Sequence, residues 1–297
     1  MAGRKIIVGS RDSRLAVAQS KLVMAQIAEA HPEIELELVT MKTTGDIILD
    51  KRLDKIGGKG LFVKELDKAL MEGKIDISVH SLKDLPMEIS EDLPLVAFSK
   101  RENPLDVLVF PEGYESENKQ LPLGTSSLRR EMQLKEIYPD WQVESIRGNL
   151  QTRLLKLDSG QYGSIILAHA GITRLGLENR IGRVFSADEI IPPAGQGIMA
   201  VQGRAGENYS FLECVNDKKS EICAKAERAF VTYLDGGCSS PIGAFAELSG
   251  ENILIRGLYY NEETQQHFKS RILGKAIDGE NLAVELAKQL KDGKQNG

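Results

Sequence analysis

The sequence predicts an α/β protein of two doubly wound lobes joined by hinge crossings, followed by a small α+β third domain. Three observations lead there. Through the first two thirds of the chain, short β-like runs alternate with helical patterns, the rhythm of parallel or mixed sheets covered by helices. Two breaks, near residues 100–104 and 190–197, interrupt that alternation; the second, Ile191-Pro192-Pro193-Ala194-Gly195-Gln196-Gly197, is too rich in proline and glycine to continue a helix. After about Lys218 the order becomes helix, three strands, helix.

In chain order, strands are expected over residues 5–9, 35–40, 75–80, 95–99, 107–110, 123–125, 142–146 and 164–168. Between them, apolar residues recur at helical spacing over 14–30, 61–73, 128–138, 150–159 and 169–175. The last part predicts a helix over 221–234, antiparallel strands over 244–249, 253–260 and 266–273, and a closing helix over 282–291. The expected domains are 1–99 with 195–215, then 104–191, then 219–297. Two crossings between the first two make a hinged pair of periplasmic-binding-protein-like lobes, with ligand in the cleft between them.

The chain has 297 residues, 41% hydrophobic and 27% charged, which is ordinary for a globular protein. Its net charge of −5 argues against bulk nucleic-acid binding, so basic clusters read as discrete anion pockets. No segment approaches the ~20 apolar residues of a membrane span, and the start is followed by only a short apolar run, so a cytoplasmic location is expected. Three cysteines without paired spacing and four scattered histidines give neither a disulfide framework nor a metal site.

Cations gather at four corners where a β-like run meets a helical pattern. These are Ser10-Arg11-Asp12-Ser13-Arg14, Ser81-Leu82-Lys83-Asp84-Leu85-Pro86, Gly124-Thr125-Ser126-Ser127-Leu128-Arg129-Arg130, and Arg147-Gly148-Asn149 through Arg153. A helix N-terminus already carries partial positive charge and unpaired N–H groups, so a cation there is unfavourable by up to ~1 kcal/mol unless something negative joins it. An acidic side chain or an anionic ligand would serve. A carboxylate or phosphate held by N–H groups, hydroxyls and guanidinium forks accounts for the whole pattern; a solvated surface arginine accounts for any single case.

The stretch 43–60, rich in glycine and carrying Lys55 and Lys59, reads as a loop able to cover the cleft. It is not a nucleotide-binding loop, because Gly58-Lys59 lacks the earlier glycine and the following Ser or Thr. Cys214 and Cys223 sit on apolar faces, as small core residues do. Cys238 lies in Asp235-Gly236-Gly237-Cys238-Ser239-Ser240-Pro241, where a thiol either fills a turn or attacks an electrophile and holds it covalently.

Taken together, these segments resemble the porphobilinogen deaminase (hydroxymethylbilane synthase) family. The likeness runs nearly end to end, through Gly9-Ser10-Arg11-Asp12-Ser13-Arg14-Leu15-Ala16, Gly57-Gly58-Lys59-Gly60-Leu61-Phe62, Val79-His80-Ser81-Leu82-Lys83-Asp84-Leu85-Pro86, Gly124-Thr125-Ser126-Ser127-Leu128-Arg129-Arg130, Arg147-Gly148-Asn149, Pro193-Ala194-Gly195-Gln196-Gly197 and Gly236-Gly237-Cys238. Asp12 and His169 depart from the family pattern without disturbing its motifs.

The resemblance implies a transferase of tetrapyrrole and heme biosynthesis that condenses four porphobilinogen molecules head to tail with loss of ammonia. Hydrolysis then frees hydroxymethylbilane. It implies a covalent dipyrromethane cofactor on a thioether to Cys238, one per chain, and a monomer. Ser13, Lys83, Asp84, Ser127, Arg129, Arg130 and Arg147 would hold the cofactor, and Arg11, Arg153 and Arg174 the substrate's acetate and propionate groups. Lys55 and Lys59 would belong to the lid, and Asp84 would be the catalytic residue. Two other readings compete: a two-lobed anion-binding protein without catalysis, and a thiol hydrolase or acyltransferase built on Cys238, for which no histidine lies nearby in sequence.

Overall fold

The computed structural model describes residues 5–47, 63–237, 240–261 and 263–293. β1(Lys5–Arg11), α1(Arg14–Ala30), β2(Glu35–Met41), α2(Lys64–Met71), β3(Ile77–Ser81) and β4(Leu95–Phe98) build the first lobe. The chain then crosses to a second lobe of β5(Asp106–Val109), β6(Leu123–Gly124), α3(Leu128–Ile137), β7(Val143–Glu144), α4(Leu150–Asp158), β8(Ser164–Ala168), α5(His169–Thr173) and β9(Ile181–Val184). It returns as β10(Met199–Gly203) and ends in α6(Lys218–Tyr233), β11(Gly243–Ser249), β12(Asn252–Asn261), β13(Gln266–Lys275) and α7(Gly279–Lys291).

The two lobes are built to one plan. The first sheet runs β2-β1-β3-β10-β4 and the second β7-β6-β8-β5-β9. In each, the first three strands are parallel, and the crossing strand, β10 or β5, lies antiparallel between the third and the edge. Both are α/β lobes whose sheet includes a strand reached by a crossing from the other lobe. The third unit is an antiparallel sheet, β11-β12-β13, whose apolar face meets α6 and α7 around Phe230, Ile253, Ile255, Leu286 and Leu290.

Local sequence explains the helix starts. Ser13 caps α1, its Oγ accepting from Ala16 N at 3.3 Å, and the stripe Ala16, Gln19, Ser20, Val23 and Ile27 faces inward at helical spacing. Asn149 caps α4 through Thr152 N at 3.0 Å, and Asp217 caps α6 through Ser220 N at 2.7 Å.

Several expectations change. No α-helix follows β3: the chain makes one 3-10 turn, Leu82–Asp84, and then extends at Leu85 (φ −77, ψ 147), the conformation a following proline demands. The strands expected over 142–146 and 123–125 shrink to two residues each. Strands β9 and β10 were not expected. Every residue of β10 is buried, so it offers no polar alternation, and its Ala200, Gln202 and Gly203 are weak strand signals. The expected lid with Lys55 and Lys59, and the attachment residue Cys238, lie outside the described residues.

One buried carboxylate fastens the third unit to both crossings. Glu227 of α6 accepts from Arg101 Nη2 at 2.7 Å on the first crossing, from Gly195 N at 2.7 Å on the second, and from Ala246 N at 2.8 Å in β11. Arg101 Nη1 adds a bond to Ala246 O at 3.1 Å. Burial pushes the Glu227 carboxyl up while Arg101 and the two amides pull it down, and the net shift is upward. Removing either charged partner would leave the other buried and uncompensated.

Candidate functional site

Between the lobes lies a cleft of about 750 Å³, within the range of small-molecule sites. Among the described residues its lining holds eight cations: Arg11, Arg14, Lys42 and Lys83 from the first lobe, and Arg130, Arg147, Arg153 and Arg174 from the second. Against them stand two acids, Asp12 and Asp84, both from the first lobe. In a chain of net charge −5, such a concentration marks a site made for anions.

The corners deliver these groups. Arg11 ends β1, and Ser13 begins α1 with its hydroxyl hydrogen still available beyond the cap. Lys83 and Asp84 occupy the 3-10 turn, which is held down by fully buried Leu82, whose N–H donates to Ile198 O at 3.0 Å. Arg130 lies in the first turn of α3, and Arg147 and Arg153 flank the start of α4. Gly148 between them has φ +113, and a Cβ there would come within 2.6 Å of Thr152, so this corner requires glycine. Arg153 Nε donates to Gly148 O at 2.8 Å. Arg174 follows α5 and donates from Nη2 to Gly197 O at 2.6 Å, a contact between the second lobe and the returning crossing.

Two expected positions stand apart from the lining. Ser127 precedes α3 with its N–H on Thr125 Oγ1 at 3.2 Å. Arg129 is 4% exposed and turned inward, with Nη1 on Ile191 O at 2.6 Å and Nη2 on Asp106 Oδ2 at 2.8 Å. Here an acidic side chain, rather than a ligand, meets the cation at the helix start. Asp106 also accepts from Arg130 Nη2 at 2.7 Å and from Gln196 Nε2 at 2.9 Å. Burial alone would raise its carboxyl, but the two arginines outweigh that and hold it well below the usual carboxylate range.

The electrostatics of the cleft are one-sided. Burial, helped by Arg130 and Arg129 against the pull of Asp84 and Asp106, pushes Lys83 down to about 8. Burial, with Arg130 and Arg147 adding repulsion, takes Arg153 down to about 10. Arg174 falls to about 10 through burial despite Glu102. Arg130 Nε is buried without a hydrogen-bond partner. Cations held this way are stabilised by an incoming carboxylate, and guanidinium forks suit that group.

Sequence reasoning gave no role to Gln196, Gln19, Ser81, Asn149 or Asp106. Gln196 stood inside a quoted motif, and Asp106 was visible as a lone acid opening an apolar run, a residue that burial obliges to find a cation. Gln19 and Ser81 line the cleft and bond each other across lobe 1, Gln19 Nε2 to Ser81 Oγ at 2.8 Å. Among the described residues no helix is long and apolar enough to cross a membrane.

Comparison with known proteins adds the following. A family model described as "Porphobilinogen deaminase, dipyromethane cofactor binding domain" matches residues 6–210, and one described as "Porphobilinogen deaminase, C-terminal domain" matches residues 221–292. A protein of Ruminiclostridium cellulolyticum named porphobilinogen deaminase is 55% identical over 288 residues, covering 97% of this chain and 98% of its own. One of Ruminiclostridium josui with the same name is 54% identical over 291 residues, covering 98% and 99%. Among solved structures, the periplasmic VFT2 domain of Bordetella pertussis BvgS is a distant likeness, with TM-score 0.38 and 14% identity over 71% of this chain and 84% of its own.

Proposed function

The chain belongs to the porphobilinogen deaminase family and carries its dipyrromethane-cofactor-binding domain, and from that premise we propose how its residues divide the work of a transferase that condenses porphobilinogen. The observation that carries the reading is the cleft itself, with eight cations and two carboxylates converging from both lobes. Each pyrrole unit brings an acetate and a propionate. A growing chain therefore presents two carboxylates per ring, which is the ligand such a lining calls for.

The residues fit the cofactor: the orphaned Arg130 Nε and the depressed Lys83 and Arg153 all favour a bound polycarboxylate. Lys83, Arg130, Arg147 and Ser13 would hold it, with Cys238 as the point of thioether attachment. When bound, the dipyrromethane supplies the pyrrole carbon onto which the first substrate is joined.

Arg11, Arg153 and Arg174 bind the acidic side chains of incoming porphobilinogen. Asp84 is the one acid placed beside these cations on the 3-10 turn. Loss of ammonia from porphobilinogen leaves positive charge on the pyrrole, and a carboxylate accepting its N–H stabilises that charge as it develops. Asp84 also serves proton transfer to the departing amine. A fixed carboxylate in a cleft lined mostly by cations acts selectively: a substrate whose own acids are paired with arginine brings its reacting carbon to Asp84. The cytoplasmic location and monomeric state implied by the resemblance belong to this proposal and are checked by cell fractionation and light scattering.

The test is intact-protein mass spectrometry with an ammonia-release assay. The native protein is expected to weigh more than its sequence by two linked pyrrole units and to release ammonia from porphobilinogen. Cys238→Ala is expected to fold, carry the bare mass and do neither. A bare mass on native protein with no ammonia release would return the chain to anion binding without catalysis.

A further inference from the structure

Asp106 does not line the cleft, yet it holds two groups that do. It is fully buried at the start of β5, with Oδ1 shared between Arg130 Nη2 and Gln196 Nε2 and Oδ2 taken by Arg129. Gln196 is 1% exposed and gives the same Nε2 to Pro104 O at 2.6 Å. An amide nitrogen facing two acceptors leaves its oxygen a single direction. That oxygen receives Lys83 Nζ at 3.2 Å.

We propose that Asp106 is a positioning residue of the anion cleft, fixing the guanidinium of Arg130 directly and the ammonium of Lys83 by way of Gln196. The geometry spans three stretches of chain: a strand of the second lobe, the returning crossing and the 3-10 turn of the first lobe. One carboxylate thus sets the separation of a cation from each lobe, and two cations clamp one acidic ligand only if that separation is held. The charges agree with the geometry. Lys83 faces Asp84 from its own turn, Arg130 and Arg129 from α3 and Asp106 from β5. Without Asp106, three cations would face the single carboxylate of Asp84, and the weakest of them, Lys83, would lose its proton first.

The inference rests on the cleft being the binding site proposed above, so its test reads Lys83 separately from turnover. Native holoenzyme, Gln196→Leu and Asp106→Asn are treated with an amine-reactive reagent across pH 6 to 10, and the labelled fraction of the Lys83 peptide is read by mass. Only the neutral amine reacts. Burial sets the midpoint at about 8 in the absence of a bound carboxylate, and the cofactor's acids are expected to hold the native value at or above it. Both variants should move it down by about one pH unit, and the KM for porphobilinogen at pH 8 should rise about tenfold, more than kcat falls. Gln196→Leu leaves both Arg–Asp106 pairs intact, so it decides the matter even if Asp106→Asn does not fold. An unmoved Lys83 midpoint with unchanged KM in Gln196→Leu overturns the inference. Native protein lacking the extra pyrrole mass and ammonia release would instead defeat the functional reading and leave the labelling result to stand by itself.

Discussion

The two α/β lobes share a strand order but not a charge pattern. Each places a crossing strand at the same position of its sheet, and each turns the corners of its parallel strands toward the same cleft. Among the described residues, the second lobe sends four arginines into that cleft and no acid; the first sends two arginines, two lysines and two aspartates. Equivalent scaffolds therefore carry unequal charge, and the proposed division of tasks rests on that difference. A surface of guanidinium groups binds carboxylates wherever they stand along a chain, whereas stabilising a transient cation needs a carboxylate, and that carboxylate must be kept from collapsing onto the arginines opposite. Seating Asp84 on a short turn of the other lobe, held by Leu82 and by Pro86, provides this separation.

The sharpest way to break the comparison is Asp84→Asn, which keeps shape and removes charge. It is expected to bind porphobilinogen and lower kcat by about 10²–10³, read by ammonia release; a rate within a few fold of native would remove the division of labour. On the other lobe, Arg147→Ala should weaken holding of the acidic chain by roughly 2 to 4 kcal/mol, because a buried carboxylate loses its partner. That loss should show as a raised KM or as intermediates stalled on the enzyme, visible in intact mass, rather than as a fall in kcat alone.

A third prediction concerns the first lobe's own stability. His80 is buried, and burial with Arg11 nearby lowers its pKa to about 4. The unfolded chain takes up this proton near pH 6.5 and the folded one only near 4, so the folded state is disfavoured progressively as pH falls through that window. The loss should reach about 3 kcal/mol, and His80→Gln should flatten this part of a urea-unfolding series against pH. The smallest effect is a control on the second lobe: Lys135→Ala breaks an exposed i,i+4 pair with Glu131 and should cost only about 0.3–0.5 kcal/mol, with activity unchanged.

Legibility differed by the range of the interaction involved. Helix α1 was readable to its ends because a cap, an apolar stripe and the following His31-Pro32 all act within a few residues. The arginine corners were readable because a cation at a helix start is a local conflict that asks for an anion. Strand β10 was not: a strand buried on both faces has no period to detect. The turn bearing Asp84 was grouped with corners that open helices, and the proline that sets it apart stands in the same motif. Arg129 shows the limit most clearly, since it and Arg130 are neighbours with the same residue type and helix, yet one is turned to Asp106 and Ile191 and the other also borders the cleft.

The sequence by itself determined the alternation that makes two α/β lobes, the crossings between them, the cationic corners and, through its motifs, the family. Only the tertiary structure decided which cations line the cleft and which face an internal acid alone. The reason is physical: periodicity and capping are settled over a few residues, whereas the partners of a buried charge are settled by whatever the fold brings near it. Asp106 lies 23 residues from Arg129, Lys83 lies 113 from Gln196, and Arg101 lies 126 from Glu227. No spacing rule reaches that far, but burial makes each of these pairings obligatory once the lobes have closed around them.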